Sequence, residues 1–149
     1  DGANIVKSRV GLMREAEVVS PTDSIRELYS ATGGRDVIIA DEAQFFTPEQ
    51  IDELRDIVDE LDVPVLCFGL RTDFLTHMFP GSKRLLELAD SITEVKTVCA
   101  CGAKATVNAR LTPDGRIVTE GEQVFLGGND AYVAMCHRCW LRRIRQQQK

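Results

Sequence analysis

Apolar positions in the first two thirds of the chain follow two different periods. Val37-Ile38-Ile39-Ala40 is an unbroken, largely β-branched run, the pattern of a strand covered on both faces, as in parallel sheets. Val63-Pro64-Val65-Leu66-Cys67-Phe68 repeats it, entered through a proline that a strand tolerates at its first positions. Between the two runs Ile51, Leu54, Ile57, Val58 and Leu61 recur at helical spacing. Thr47 is placed as N-cap, Pro48 at the first helical position and Gln50 as the other half of a capping box. Upstream, alternation over residues 15–19 predicts a short strand. Ser20-Pro21-Thr22-Asp23 then supplies turn and cap for a helix carrying Ile25, Leu28 and Tyr29, closed by Gly33-Gly34. Residues 82–89, with Leu85, Leu86 and Leu88, predict one more helix. The order strand, helix, strand points to an α/β core.

Near residue 98 helical periodicity gives way to extended stretches at residues 105–111, 116–119 and 122–126. They are punctuated by Thr112-Pro113-Asp114-Gly115 and Gly127-Gly128, which reads as small β hairpins. The expected organisation is therefore an α/β core over residues 1–97 and a β appendage with a C-terminal helix over residues 98–149. With 149 residues, 44% hydrophobic and 28% charged, the composition excludes disordered, collagen-like and low-complexity classes. No apolar run approaches the ~20 residues of a membrane span and no signal-peptide pattern opens the chain, so the expectation is a cytoplasmic protein with no membrane partner. A net charge of −5 opposes general nucleic-acid binding, which needs cations for phosphates, and favours a small ligand. Arg142, Arg143, Arg145 and Lys149 form the one basic cluster, read as a solvated helix end whose cations suit the dipole.

Cys99-Ala100-Cys101 and Cys136-His137-Arg138-Cys139 are two tight thiol pairs with 34 residues between them. If the hairpins fold back, Cys99, Cys101, Cys136 and Cys139 can meet as a four-sulfur site for structural Zn²⁺, with His137 as a conceivable substitute ligand. The competing readings are two disulfides or unrelated buried cysteines. Four protein sulfurs leave no open coordination position, so such a metal holds structure and chemistry is sought elsewhere. Cys67, alone in an apolar run, reads as packing.

The run ending at Ala40 delivers Asp41 and Glu42 to the carboxyl end of a strand, where ligands of parallel sheets bind. This resembles a Walker B element, with Asp41 helping to hold Mg²⁺ and Glu42 taking the proton of an attacking hydroxyl; the plainer alternative is that both acids begin a loop. The next strand runs into Gly69-Leu70-Arg71-Thr72-Asp73-Phe74, followed by Phe79-Pro80-Gly81-Ser82. Phe45, Phe46, Phe68, Phe74 and Phe79 lie near the two strand ends. An arginine with aromatics suits a substrate with a flat base and an anionic or hydroxyl end, although core packing is the preferred reading for Phe46 and Phe68.

Together, Asp41-Glu42-Ala43-Gln44-Phe45-Phe46, the stretches beginning at Gly69 and Phe79, Gly127-Gly128-Asn129-Asp130-Ala131-Tyr132 and Cys136-His137-Arg138-Cys139 resemble the type II thymidine kinases in order and spacing. The resemblance extends from about Ile5 to the last cysteine. It implies a P-loop (RecA-like) parallel-sheet core with a small zinc-ribbon-like β domain, whose lasso loop closes over the nucleoside. It implies transfer of the ATP γ-phosphoryl group to the 5′-hydroxyl of thymidine, with Glu42 as base, Asp41 with Mg²⁺, and Asp41, Glu42, Ala43 and Gln44 as the nucleotide-site motif. Phe45, Leu70, Phe74, Phe79 and Tyr132 match residues around the nucleoside; Gln123, Phe125 and Asn108 match positions near the base. Cys99, Cys101, Cys136 and Cys139 match the zinc ligands. Relatives are commonly homotetramers inhibited by thymidine triphosphate, which sets the same expectation here. The family's Gly-x-x-x-x-Gly-Lys-Ser/Thr phosphate loop has no counterpart in these 149 residues. The expectation is therefore an N-terminally incomplete core whose polypeptide starts upstream, and no phosphorylation by this stretch alone. The alternatives are a zinc-ribbon module that binds without chemistry, or another P-loop phosphotransferase.

Overall fold

The computed structural model describes residues 5–7, 10–124 and 131–149. The fold is mixed α/β with short, two-stranded sheets. Strands β1 (Ile5–Lys7) and β2 (Met13–Glu15) pair antiparallel. Helix α1 (Ile25–Ala31) follows, then β3 (Ile38–Ala40), a 3-10 turn at Ala43–Phe45, α2 (Pro48–Leu61), β4 (Val65–Cys67) and α3 (Pro80–Leu88). Strands β3 and β4 are parallel, with Ile38 opposite Val65, Ile39 opposite Leu66 and Ala40 opposite Cys67.

The helical stripe read from the sequence is the heart of this half. Ile51, Leu54 and Ile57 of α2 are buried with Ile25 and Val63, and Ile38, Val65, Cys67, Leu85 and Leu88 pack against them. Thr47 and Gln50 form the expected capping box around Pro48. Gln50 does more than cap: its Nε2 donates to the carbonyls of Ser20 (2.8 Å) and Asp23 (3.0 Å), fixing the turn before α1 onto α2. Helix α3 is clipped to α2 by the Arg84–Asp52 ion pair at 2.6 Å.

Several elements differ from their sequence patterns. The ladder expected at residues 15–19 forms at Met13–Glu15, because pairing is decided by the partner Ile5–Lys7. Helix α3 starts at Pro80, with Phe79 as N-cap, two residues before the expected start; Ser82 spends its hydroxyl on the Leu70 carbonyl at 2.5 Å. Only one face of the parallel pair is covered among the described residues. Ile39 is 67% exposed, and Val37, Leu66 and Phe68 are exposed beside it. Phe68 is therefore not the packing residue its sequence suggests, whereas Phe46 does pack on the core.

After α3 come β5 (Thr97–Val98), β6 (Lys104–Ala105), β7 (Val107–Leu111), β8 (Ala131–Met135) and α4 (His137–Gln147). A second apolar cluster gathers Cys99, Val107, Ala109, Ile117, Met135, Cys136 and Trp140. Residues 116–119, expected as a strand, contribute a single bridge between Ile117 and Leu111. The Arg116 carbonyl accepts the Thr112 amide and the Val118 amide donates to the Arg110 carbonyl, both at 2.9 Å, while α4 takes Ile117: the Gln147 side-chain amide bonds both of its main-chain groups, and Arg143 donates to the Gly115 carbonyl at 2.6 Å. Residues 122–124 form no strand, and 125–126 lie outside the described residues.

Gln50→Leu keeps the volume of a 2% exposed side chain but removes its bonds to the Thr47 amide and the Asp23 carbonyl and one of the two donors to the Ser20 carbonyl. It is expected to destabilise the fold by about 2 kcal/mol, read as a lower urea midpoint at unchanged slope.

Candidate active site and metal centre

At the carboxyl end of β3 the chain turns sharply. The Phe68 amide donates to the Ala40 carbonyl and the Ala43 amide to the Phe68 carbonyl, both at 2.9 Å, so the exits of β3 and β4 are tied together. Between these bonds Glu42 sits in the left-handed region at φ 51°, ψ 39°, unusual for a residue with a side chain and associated with functional sites when the surroundings enforce it. The enforcing contacts are visible. Gln44, 2% exposed, donates from Nε2 to Glu42 Oε2 at 2.5 Å and accepts the Leu70 amide on Oε1 at 3.1 Å. A Cβ on Gly69 would lie 2.5 Å from Gln44 Oε1, and one on Gly81 would press into the carbonyls of Phe46 and Gln44. Close approach of main chain requires glycine at Gly81, and at Gly69 a side chain would displace the Gln44 amide from its bonds. The carboxylates of Asp41 and Glu42 are on exposed residues, and Asp41 Oδ1 accepts the Glu42 amide at 3.0 Å.

The aromatic residues fall into two groups. Phe45, 48% exposed, meets the buried Phe79 edge to face, with centroids 5.7 Å apart and planes at 88°; Leu70, half-exposed, is on the loop that Gln44 holds. Phe74 is buried, and the Arg110 guanidinium lies 3.7 Å from its ring centroid. Arg110 donates from Nε to Tyr132 Oη at 2.9 Å and from Nη2 to the Glu122 carbonyl at 3.2 Å. Gln123 donates to Asp73 Oδ2 at 2.9 Å and to the Met78 carbonyl at 3.3 Å. Asp73 is buried, its other oxygen accepting the Leu75 and His77 amides at 2.8 and 3.0 Å. Asn108 is two residues from Arg110 on β7 and shares its face. Phe125 and Gly127 to Asp130 lie outside the described residues.

Sequence reasoning missed Asp73 and Arg110. A signal for Arg110 existed: Val107, Ala109 and Leu111 alternate with Asn108 and Arg110, marking one face of β7 for the core and the other for something polar.

The four paired cysteines converge. One Sγ from each of Cys99, Cys101, Cys136 and Cys139 lies within 4.8 Å of all the others, and Cys101 and Cys136 are 3.7 Å apart. Tetrahedral coordination at ~2.3 Å per metal–sulfur bond requires sulfurs about 3.8 Å apart, so the cluster can hold a metal ion with little movement. All the cysteines are free thiols, and the disulfide reading falls. Local structure builds both knuckles: the Gly102 amide donates to the Cys99 carbonyl in a turn with Gly102 at φ +86°, and Cys136 caps α4 by accepting the Cys139 amide on its sulfur. Hydrogen bonds from the Cys101 and then the Cys136 main chain hold the Cys99 thiol down at about 6. Cys139 is pushed up to about 12, chiefly by its hydrogen bond with the Cys136 sulfur. A cation at the centre of the cluster favours the thiolate form of its ligands.

A sequence model of the thymidine kinase family matches residues 1–140. The chain belongs to the thymidine kinase family. It is 47% identical over 148 residues to a thymidine kinase of Yersinia pseudotuberculosis, covering 97% of this chain and 75% of that protein. It is 47% identical over 143 residues to a thymidine kinase of Ruegeria pomeroyi, covering 93% and 72%, and 46% identical over 140 residues to one of Salmonella paratyphi A, covering 92% and 68%. The motifs around Asp41, Gly69 and Cys136 therefore lie inside a family match that spans most of the chain.

For this thymidine kinase family member, Cys136→Ser removes one of the four sulfurs while leaving a hydroxyl that can still cap α4 by accepting the Cys139 amide. The purified variant is expected to lose its bound metal, measured by elemental analysis, and to shift the fluorescence of the buried Trp140 to the red. Retention of one metal per chain would count against the four-sulfur centre.

Proposed function

We propose that the protein is an ATP-dependent thymidine kinase that transfers the γ-phosphoryl group to the 5′-hydroxyl of thymidine, giving dTMP in deoxynucleoside salvage. The observation that carries this reading is the Glu42 carboxylate at the end of the β3–β4 pair, held by Gln44 inside a motif of the thymidine kinase family. Glu42 accepts the proton of the attacking hydroxyl. Asp41, beside it, fits one carboxylate ligand of the Mg²⁺ that accompanies ATP and neutralises phosphate charge. Ala43 and Gln44 complete the nucleotide-site motif. Phe45, Leu70, Phe74, Phe79 and Tyr132 are the residues proposed around the nucleoside, with Asn108, Gln123 and Phe125 toward its base. Closure over the base excludes water that would otherwise take the phosphoryl group.

The four cysteines are proposed to hold Zn²⁺, whose all-sulfur tetrahedral preference suits them. In that role the ion is structural and closes the loop that carries Arg110, Gln123 and Tyr132. The boundary between the kinase core and the zinc-binding lasso domain is placed near residue 97, between the two apolar clusters. Exposure of Ile39 and Leu66 on one face of a parallel pair supports a larger P-loop core, since parallel strands are ordinarily covered on both sides. The glycine-rich phosphate loop is absent from these 149 residues, so this stretch alone is expected to be inactive and assays belong on a polypeptide that supplies that loop. A cytoplasmic homotetramer with thymidine triphosphate as feedback inhibitor completes the proposal. Among the described residues no helix is long and apolar enough to cross a membrane.

A nucleoside panel with ATP tests the substrate, and thymidine is expected to be the preferred acceptor. Glu42→Gln is expected to lower kcat by about 10³-fold, within the range of general-base losses, with thymidine affinity within a few-fold of wild type by calorimetry. Survival of turnover in this variant overturns the assignment of Glu42.

A further inference from the structure

Arg110 is 2% exposed, and taking a guanidinium out of water is costly unless its donors are used. An apolar side chain would fill the same space more cheaply. What the guanidinium adds is a flat cationic face and directed N–H groups, and both are in use. Its face covers the Phe74 ring at 3.7 Å. Its Nε donates to Tyr132 Oη at 2.9 Å across the β7–β8 ladder, where residues 110 and 132 are direct partners. Nη2 reaches the Glu122 carbonyl, next to Gln123, which bonds Asp73, the neighbour of Phe74. The seam thus joins residues 73–74, which follow β4, to residues 122–123 and 132, which lie between the two cysteine pairs. Phe74 is buried in this seam while Tyr132 remains 48% exposed, so one ring is fixed and the other is presented.

We infer that Arg110 is a positioning residue for nucleoside binding: it ties Tyr132 to the buried Phe74 across the two halves of the chain, so that the base meets a Tyr132 ring already held in one place. This rests on the nucleoside-kinase reading above and adds to it a residue that acts through Tyr132. Lysine at this position keeps the charge but lacks the plane and the fork.

The test compares wild type, Arg110→Lys, Tyr132→Phe and the double variant, on the full-length protein, by steady-state kinetics with thymidine and ATP. In Arg110→Lys the KM for thymidine is expected to rise about tenfold, the scale of a desolvated cation–π contact together with a lost hydrogen bond, while kcat and the KM for ATP stay within about twofold. Tyr132→Phe keeps the ring and removes only the acceptor, with a smaller rise. The double variant is expected to be no worse than Arg110→Lys, because both changes break the same bond. Hydrogen exchange at the amides of residues 122–124 gives a readout that needs no substrate, and their protection is expected to fall in Arg110→Lys. An unchanged thymidine KM with only a lower melting temperature, or strictly additive effects, overturns the inference. If Arg110→Lys does not fold, an unchanged KM in Tyr132→Phe overturns it instead. A wild-type protein that neither binds nor phosphorylates thymidine defeats the kinase reading, and loss of exchange protection in the variant then still reports whether Arg110 holds the seam.

Discussion

Three pieces of main chain meet at one point: the 3-10 turn after β3, the exit of β4 and the first turn of α3. They meet because Gly69 and Gly81 present no Cβ to Gln44 and to the carbonyls of Gln44 and Phe46. Everything at the sheet edge follows from that contact. It buries Gln44, leaving its amide to bridge Glu42 and the Leu70 main chain, and it accompanies the left-handed backbone that turns Glu42 away from the strand line. The Ser82 hydroxyl closes the same junction through the Leu70 carbonyl. A carboxylate in the proposed proton-accepting role benefits from such support, because its position is then set by covalent geometry and packing rather than by its own rotamer freedom.

The second half is organised by a different force. Its apolar cluster is small, built around Val107, Ala109, Ile117, Met135 and Trp140, and its sheets are two-stranded, an arrangement that is marginal by itself in water. Sulfur convergence at Cys99, Cys101, Cys136 and Cys139 closes the chain around these elements. Loop closure of this length is costly in entropy, and a bound metal offsets it by fixing both ends at once. Among the described residues, polar and aromatic contacts that join the halves include Gln123 on Asp73, Lys104 on Glu94 and Arg110 on Phe74.

Local signals in the sequence were sufficient for much of this. The α2 stripe, its capping box and the strand that ends in Asp41 and Glu42 depend on residues within one or two turns of one another, and periodicity and capping chemistry read them directly. The cysteine pairs were equally legible, since spacing within each pair already presents two sulfurs together. Family resemblance, carried by motifs in order, is matched by the family model over residues 1–140.

Tertiary structure alone decided the remainder. Strand β8 has no pattern of its own and exists because β7 pairs with it, while Ile117, in a stretch that looks extended, spends both main-chain groups on the Gln147 side chain 30 positions away. Phe68 reads as apolar filling, yet its exposure depends on what lies over that face of the parallel pair. Asp73 and Gln123 are 50 residues apart in the chain. The physical reason is common to all of these: periodicity reports which face of an element is apolar, but the identity of the group that meets the other face is set by distant segments, and only their packing supplies it.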